Sequence, residues 1–154
     1  FSCTGTTEKL AKYAADYLNA DLYEIQPAEP YTDEDLAYYT NGRADQEQND
    51  PDARPKINGQ VEDMAKYQIV VIAYPIWHGQ APRIISTFLE SYDLTGIDIY
   101  PFTQSASMDT EQFENSMEFV RKSAGNGTVH DGLFVDESDT EAIDSYLENN
   151  RLIR

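Results

Sequence analysis

QIVVIAYP, Gln68–Pro75, is the stretch on which the fold turns. It is a continuous apolar run rich in β-branched residues and closed by a proline. A strand with one wet face alternates apolar and polar side chains. This one does not, so it reads as a strand covered on both faces, as in a parallel sheet. Downstream, Pro82 stands at a first-turn position. Ile84, Ile85, Phe88, Leu89 and Tyr92 then form the buried stripe of a helix. Ile97–Phe102 reads as a second strand. Thr110–Ala124 follows as a helix with Phe113, Met117, Val120 and Ala124 on one side, ended by Gly125 and Gly127. Thr128–Phe134 is a short strand region, and Ser138–Asn149 a last helix carrying Ala142, Ile143, Tyr146 and Leu147.

Upstream, Leu10, Tyr13, Ala14, Tyr17 and Leu18 repeat at helical spacing. Thr6 and Thr7 are N-cap candidates, and Glu8 suits the first turn. DLYEI, Asp21–Ile25, alternates and reads as a strand that Pro27 and Pro30 stop. Residues 33–52 are polar and acidic, with a short helix expected over 33–44. Asn49–Pro55 reads as a loop, and Ile57–Met64 is ambiguous. Strands alternating with helices make one α/β domain over residues 1–154, built on a parallel sheet. A helix beginning at residue 6 calls for a strand before it, and only Phe1 precedes the loop. The expectation is that this strand lies upstream, or that another segment or a second copy fills its place.

Composition narrows the function. Eleven basic residues against 28 acidic ones give a net charge of −17. That disfavours nucleic acid and anionic membrane surfaces, both of which call for Lys and Arg. It suits either solubility alone or steering toward basic protein partners. The single cysteine, Cys3, makes no internal disulfide, and no His/Cys cluster suggests zinc. No apolar run approaches the roughly 18 residues of a membrane span. A cytoplasmic location is expected.

Three loops fall at the carboxyl ends of the strands, where α/β sheets bind ligands. The first is FSCTGTT, Phe1–Thr7. Hydroxyls at Ser2, Thr4, Thr6 and Thr7 converge with the free amides of a helix start, a place that attracts phosphate. Gly5 lets the backbone approach closely. Neither a lysine nor a GxGxxG pattern is present, so triphosphate and dinucleotide loops are not indicated. The second loop is YPIWHG, from Tyr74 and Pro75 through Ile76, Trp77 and His78 to Gly79. Its indole, the only one in the chain, can cover a flat ring. His78 alone is not read as catalytic. The third is FTQSASMDT, where Thr103, Gln104, Ser105, Ala106 and Ser107 offer small polar groups. Each loop alone could be an ordinary turn. Together they describe a ligand with a phosphate at one end and a planar heteroaromatic ring at the other.

Through Ser2, Thr4, Gly5 and Thr7, YPIWHG and PFTQSAS, the chain resembles the flavodoxin-like proteins along nearly its whole length. ARPKI, Ala53–Ile57, and FLESYDL, Phe88–Leu94, resemble a bacterial subgroup. The resemblance implies a flavodoxin-like three-layer, doubly wound parallel sheet ordered 2-1-3-4-5, with the first strand largely missing from this chain. It implies FMN as cofactor, with Ser2, Thr4, Gly5, Thr6 and Thr7 on the phosphate. Tyr74, Pro75, Ile76, Trp77, His78 and Gly79 would lie at the ring, and the 103–107 loop along its pyrimidine side. Gly79 would be able to turn its peptide toward flavin N5. Relatives in the subgroup carry glycines where this chain has Ser105, Ala106 and Ser107. The favoured function is electron transfer between redox partners with basic surfaces. Two alternatives stay open: an NAD(P)H- or quinone-dependent FMN reductase, for which His78, Tyr74, Tyr31, Tyr38 and Tyr39 could form a second platform, and a non-flavin binding domain.

Overall fold

The computed structural model describes residues 1–37, 39–104 and 110–152. The apolar run becomes a strand over Ile69–Pro75, the third along the chain (β3). It lies parallel to β4, Asp98–Gln104, in a register from Ile69 opposite Asp98 to Pro75 opposite Gln104. Successive β3 side chains point to opposite faces. Ile72 and Tyr74 join a core with Ile84, Ile85, Phe88 and Leu89 of α4 (Arg83–Glu90) and Val120 of α5 (Thr110–Ser123). Ala73 enters a second core on the other face. There it meets Leu10 and Ala14 of α1 (Thr6–Leu18) and Ile143 and Leu147 of α6 (Thr140–Asn149). The sheet is thus covered on both sides, and the three-layer α/β expectation holds.

On its far side β4 pairs with two short pieces, β5 at Thr128–Val129 and β6 at Leu133–Phe134. The expected strand is split for a reason visible in β4. The carbonyls of Ile97, Ile99 and Thr103 all accept bonds from this side. Pro101 belongs to the same set and has no N–H to give. Gly132 sits in the gap, where a Cβ would stand 2.6 Å from the Pro101 carbonyl oxygen.

The reading of Asp21–Ile25 as a strand is corrected: it forms no ladder among the described residues. A strand needs a neighbour for its N–H and C=O groups, and none of the described residues forms a ladder with this segment. Only Gln26–Pro27 (β1) pairs, antiparallel to Ile57–Asn58 (β2). At the edge of β3 away from β4, Phe1 N donates to Ala73 O at 2.8 Å. The described sheet therefore runs β3-β4-β5 with β6 also on β4, which is the 3-4-5 arm of the expected order. Of the helix expected over 33–44 only α2, Asp33–Leu36, forms, and α3, Arg43–Asn49, begins at its end and runs beyond it. Left-handed backbone at Tyr39 and Asn41 breaks it.

Candidate functional site

The first loop carries the chain into α1 through Gly5, the N-cap residue, at a φ of +89°. Thr6 and Thr7 are inside the helix, so their reading as N-caps is corrected. A Cβ on Gly5 would meet nothing within 4 Å. Glycine is favoured here by the backbone angle, not by crowding. The Gly5 N–H donates to Ser2 Oγ at 3.1 Å, which curls the loop back on itself. No side chain caps α1, so its leading amides and the positive end of its dipole face the loop. The Thr4 and Thr6 hydroxyls stand 3.4 Å apart. Thr7 is buried in the core. Glu8, the acidic group of the first turn, is paired with Lys12 at 2.7 Å.

Beyond β3 the chain makes a four-residue turn. Trp77 N donates to Gln80 O at 2.8 Å and Gln80 N to Trp77 O at 3.0 Å. His78 and Gly79 between them have φ of +51° and +71°, the mark of a type I′ turn. The turn lifts the indole to the edge of the sheet. Its ring meets Phe1 edge-on at 5.4 Å and Tyr31 at 5.2 Å. Tyr31 is fixed in turn by the Arg43 guanidinium, 3.9 Å from its ring centre, and by a hydrogen bond from its hydroxyl to Glu47. Desolvation, reinforced by that carboxylate, pushes the Tyr31 phenol far up from its ordinary range.

The two loops share one hollow of about 180 Å³. Ser2, Cys3 and Thr4 line it from the first loop, Pro75 and Trp77 from the second, and Leu36 and Ala44 from α2 and α3. Desolvation by these surroundings pushes the Cys3 thiol up to about 11, so it is neutral at pH 7. The lining offers hydroxyls, amides and an aromatic face with no ionised acid. Such a donor set accommodates a phosphate and a flat ring.

Other predicted residues have different surroundings. Tyr74 and Thr103 are fully buried. The Tyr74 hydroxyl is 3.1 Å from Ser116 Oγ, and Thr103 Oγ1 donates to Tyr74 O at 2.6 Å. Both side chains hold β3, β4 and α5 together. Ile76 is buried, and Gln104 ends β4 opposite Pro75 at the same sheet edge. Ser105, Ala106 and Ser107 lie outside the described residues, as does Tyr38. Of the other tyrosines proposed for a second platform, Tyr31 is packed on Trp77 and Tyr39 is 96% exposed.

Sequence reasoning missed α3. Asp45 and Gln48 are buried there, in a stretch read only as polar and acidic. Gln48 Nε2 donates to the carbonyls of Trp77 at 3.0 Å and Ala81 at 3.1 Å, gripping both ends of the turn. The available signal was the helical spacing of Ala44, Asp45 and Gln48.

The family model for flavodoxin matches residues 1–150. The chain belongs to the flavodoxin family. A candidate flavoprotein from Bacteroides eggerthii, known from its crystal structure, is 37% identical. It covers 97% of this chain and 92% of its own, with a TM-score of 0.88. Another from Bacteroides uniformis is 32% identical over 96% of this chain and 94% of its own, also with a TM-score of 0.88. A flavoprotein of Lactobacillus acidophilus in complex with FMN shares the fold at 22% identity, over 91% of each chain, with a TM-score of 0.71. No curated protein matches. In this flavodoxin-family chain, the hydroxyl loop and the indole meet at one end of the sheet.

Proposed function

We propose that the protein binds FMN across the Trp77 hollow and carries electrons between redox proteins. The observation that carries this reading is the hollow itself, lined jointly by Ser2, Thr4 and Trp77. Ser2, Thr4, Thr6 and the first amides of α1 would hold the phosphate, with the helix dipole as the charge that favours it. Trp77, held edge-on by Phe1 and Tyr31, would cover the ring. FMN supplies the redox chemistry when bound. The chain supplies position and field. A net charge of −17 opposes adding negative charge at the site, which lowers its reduction potential.

The hollow is smaller than the roughly 300–1,000 Å³ of sites that enclose their ligands. A ligand of this size would therefore rest with one side open, which suits a protein that exchanges electrons at its surface. Basic redox partners would be drawn by the acidic surface. No helix among the described residues is long and apolar enough to cross a membrane. The test is titration with FMN, followed by the visible spectrum and by Trp77 fluorescence. Saturable binding with quenching of the indole is expected. Failure to bind at micromolar FMN would remove the reading.

A further inference from the structure

Asp45 has no part in the chemistry described so far, yet it is a carboxylate only 5% exposed. Burying a carboxylate is costly unless its oxygens are met. Oδ2 accepts from Thr40 N at 2.9 Å and Asn41 N at 3.0 Å, which fixes the loop between α2 and α3. Oδ1 stands 2.8 Å from His78 Nε2, an ion-pair distance without hydrogen-bond alignment. His78 is the first central residue of the Trp77–Gln80 turn, at a positive φ that costs a non-glycine residue about 1–2 kcal/mol. One turn further along α3, Gln48 holds the backbone at both ends of the same segment. Its Oε1 also accepts from Arg83 N at 3.2 Å. Gln48 thus fixes the base of the turn, and Asp45 reaches its tip.

We propose that Asp45 is a positioning residue that acts through His78 to hold the Trp77 turn, and with it the indole, in place at the hollow. Without the pair, the turn keeps its two internal bonds and its base but loses the anchor at its tip. The indole then samples positions away from the hollow, and the ligand meets a less prepared surface. As a statement about FMN affinity this rests on the function proposed above. As a statement about the turn it does not.

Trp77 is the only tryptophan, so its fluorescence reports on this turn alone. The experiment compares acrylamide quenching of Trp77 in the full chain without FMN, for the native protein, Asp45→Asn, His78→Asn and the double variant. Asparagine at 45 still accepts the Thr40 and Asn41 amides. Asparagine at 78 tolerates the left-handed backbone but is too short to reach Asp45. Each single variant is expected to raise the quenching constant about twofold. The double variant should match the larger single effect, because one shared contact is lost only once. FMN dissociation constants should rise about tenfold in the single variants, the order expected when a prepared surface must be ordered on binding. Native quenching in a His78→Asn protein that melts cooperatively would overturn the proposal, and so would fully additive effects. If the native protein binds no FMN, the function above fails, and the quenching comparison still decides the role of Asp45.

Discussion

Arg83 is a charged residue only 3% exposed, beneath the site. Its Nε lies 3.1 Å from the carbonyl oxygens of both Glu47 and Asp50, and its Nη2 is 2.7 Å from that of Gln48. Its guanidinium carbon is 4.4 Å from the centre of the Phe119 ring. These carbonyls lie at the end of α3, where Glu47 O also accepts from Asp50 N and Asp50 O from Ala53 N, so Arg83 reinforces the end of the helix that carries Asp45 and Gln48. Arg83→Met should cost about 3 kcal/mol or more in urea unfolding, since charge-assisted bonds to buried acceptors are lost. Arg83→Lys should recover only part of this, because an ammonium is a point donor where the guanidinium is a fork. Equal stability of the lysine variant and the native protein would show that the fork is not needed. At the mouth of the hollow, Thr4→Ala combined with Thr6→Ala should leave folding intact and weaken FMN binding. Each donor to a charged phosphate is worth about 1.5–3 kcal/mol. Unchanged affinity in isothermal titration would place the phosphate elsewhere.

Among the elements, α3 does most to shape the site, although it has only seven residues. Such a helix is unstable alone. It persists because Arg83 reinforces its end, Asp45 and Gln48 tie it to two loops, and Ala44 packs beneath it. That is why its role was not legible in the sequence: its stability comes from contacts distant along the chain. The β5/β6 region shows the opposite case. A short, weak strand was legible in Thr128–Phe134, and its interruption follows from Pro101. Gly132 lies in the break, where an added Cβ would meet Pro101 O at 2.6 Å and Met117 Sδ at 2.9 Å. The carbonyl belongs to β4 and cannot swing aside. Gly132→Ala should therefore lower stability by about 1–3 kcal/mol, the range for overpacking. A denaturant midpoint at the native value would mean that β6 shifts freely.

Across the whole molecule, net charge governs the response to salt. A surface carrying −17 repels itself in the folded state, and salt screens that repulsion within about 10 Å at 0.1 M. The melting temperature should rise between 10 and 300 mM NaCl, while association with the basic redox partner proposed above should weaken over the same range. A melting temperature that falls with salt would show that attractive pairs such as Arg54–Glu90, 2.9 Å apart, outweigh the net charge. Legible in the chain alone were the α/β class, the doubly covered strand, the helix faces and the shared edge of the first two loops. These depend on hydrophobic period and chain punctuation, which are local. Tertiary structure alone decided that Asp21–Ile25 has no ladder, that Tyr74 and Thr103 turn inward, and that α3 grips the Trp77 turn. Each depends on which groups meet across dozens of residues, and no local pattern encodes that meeting.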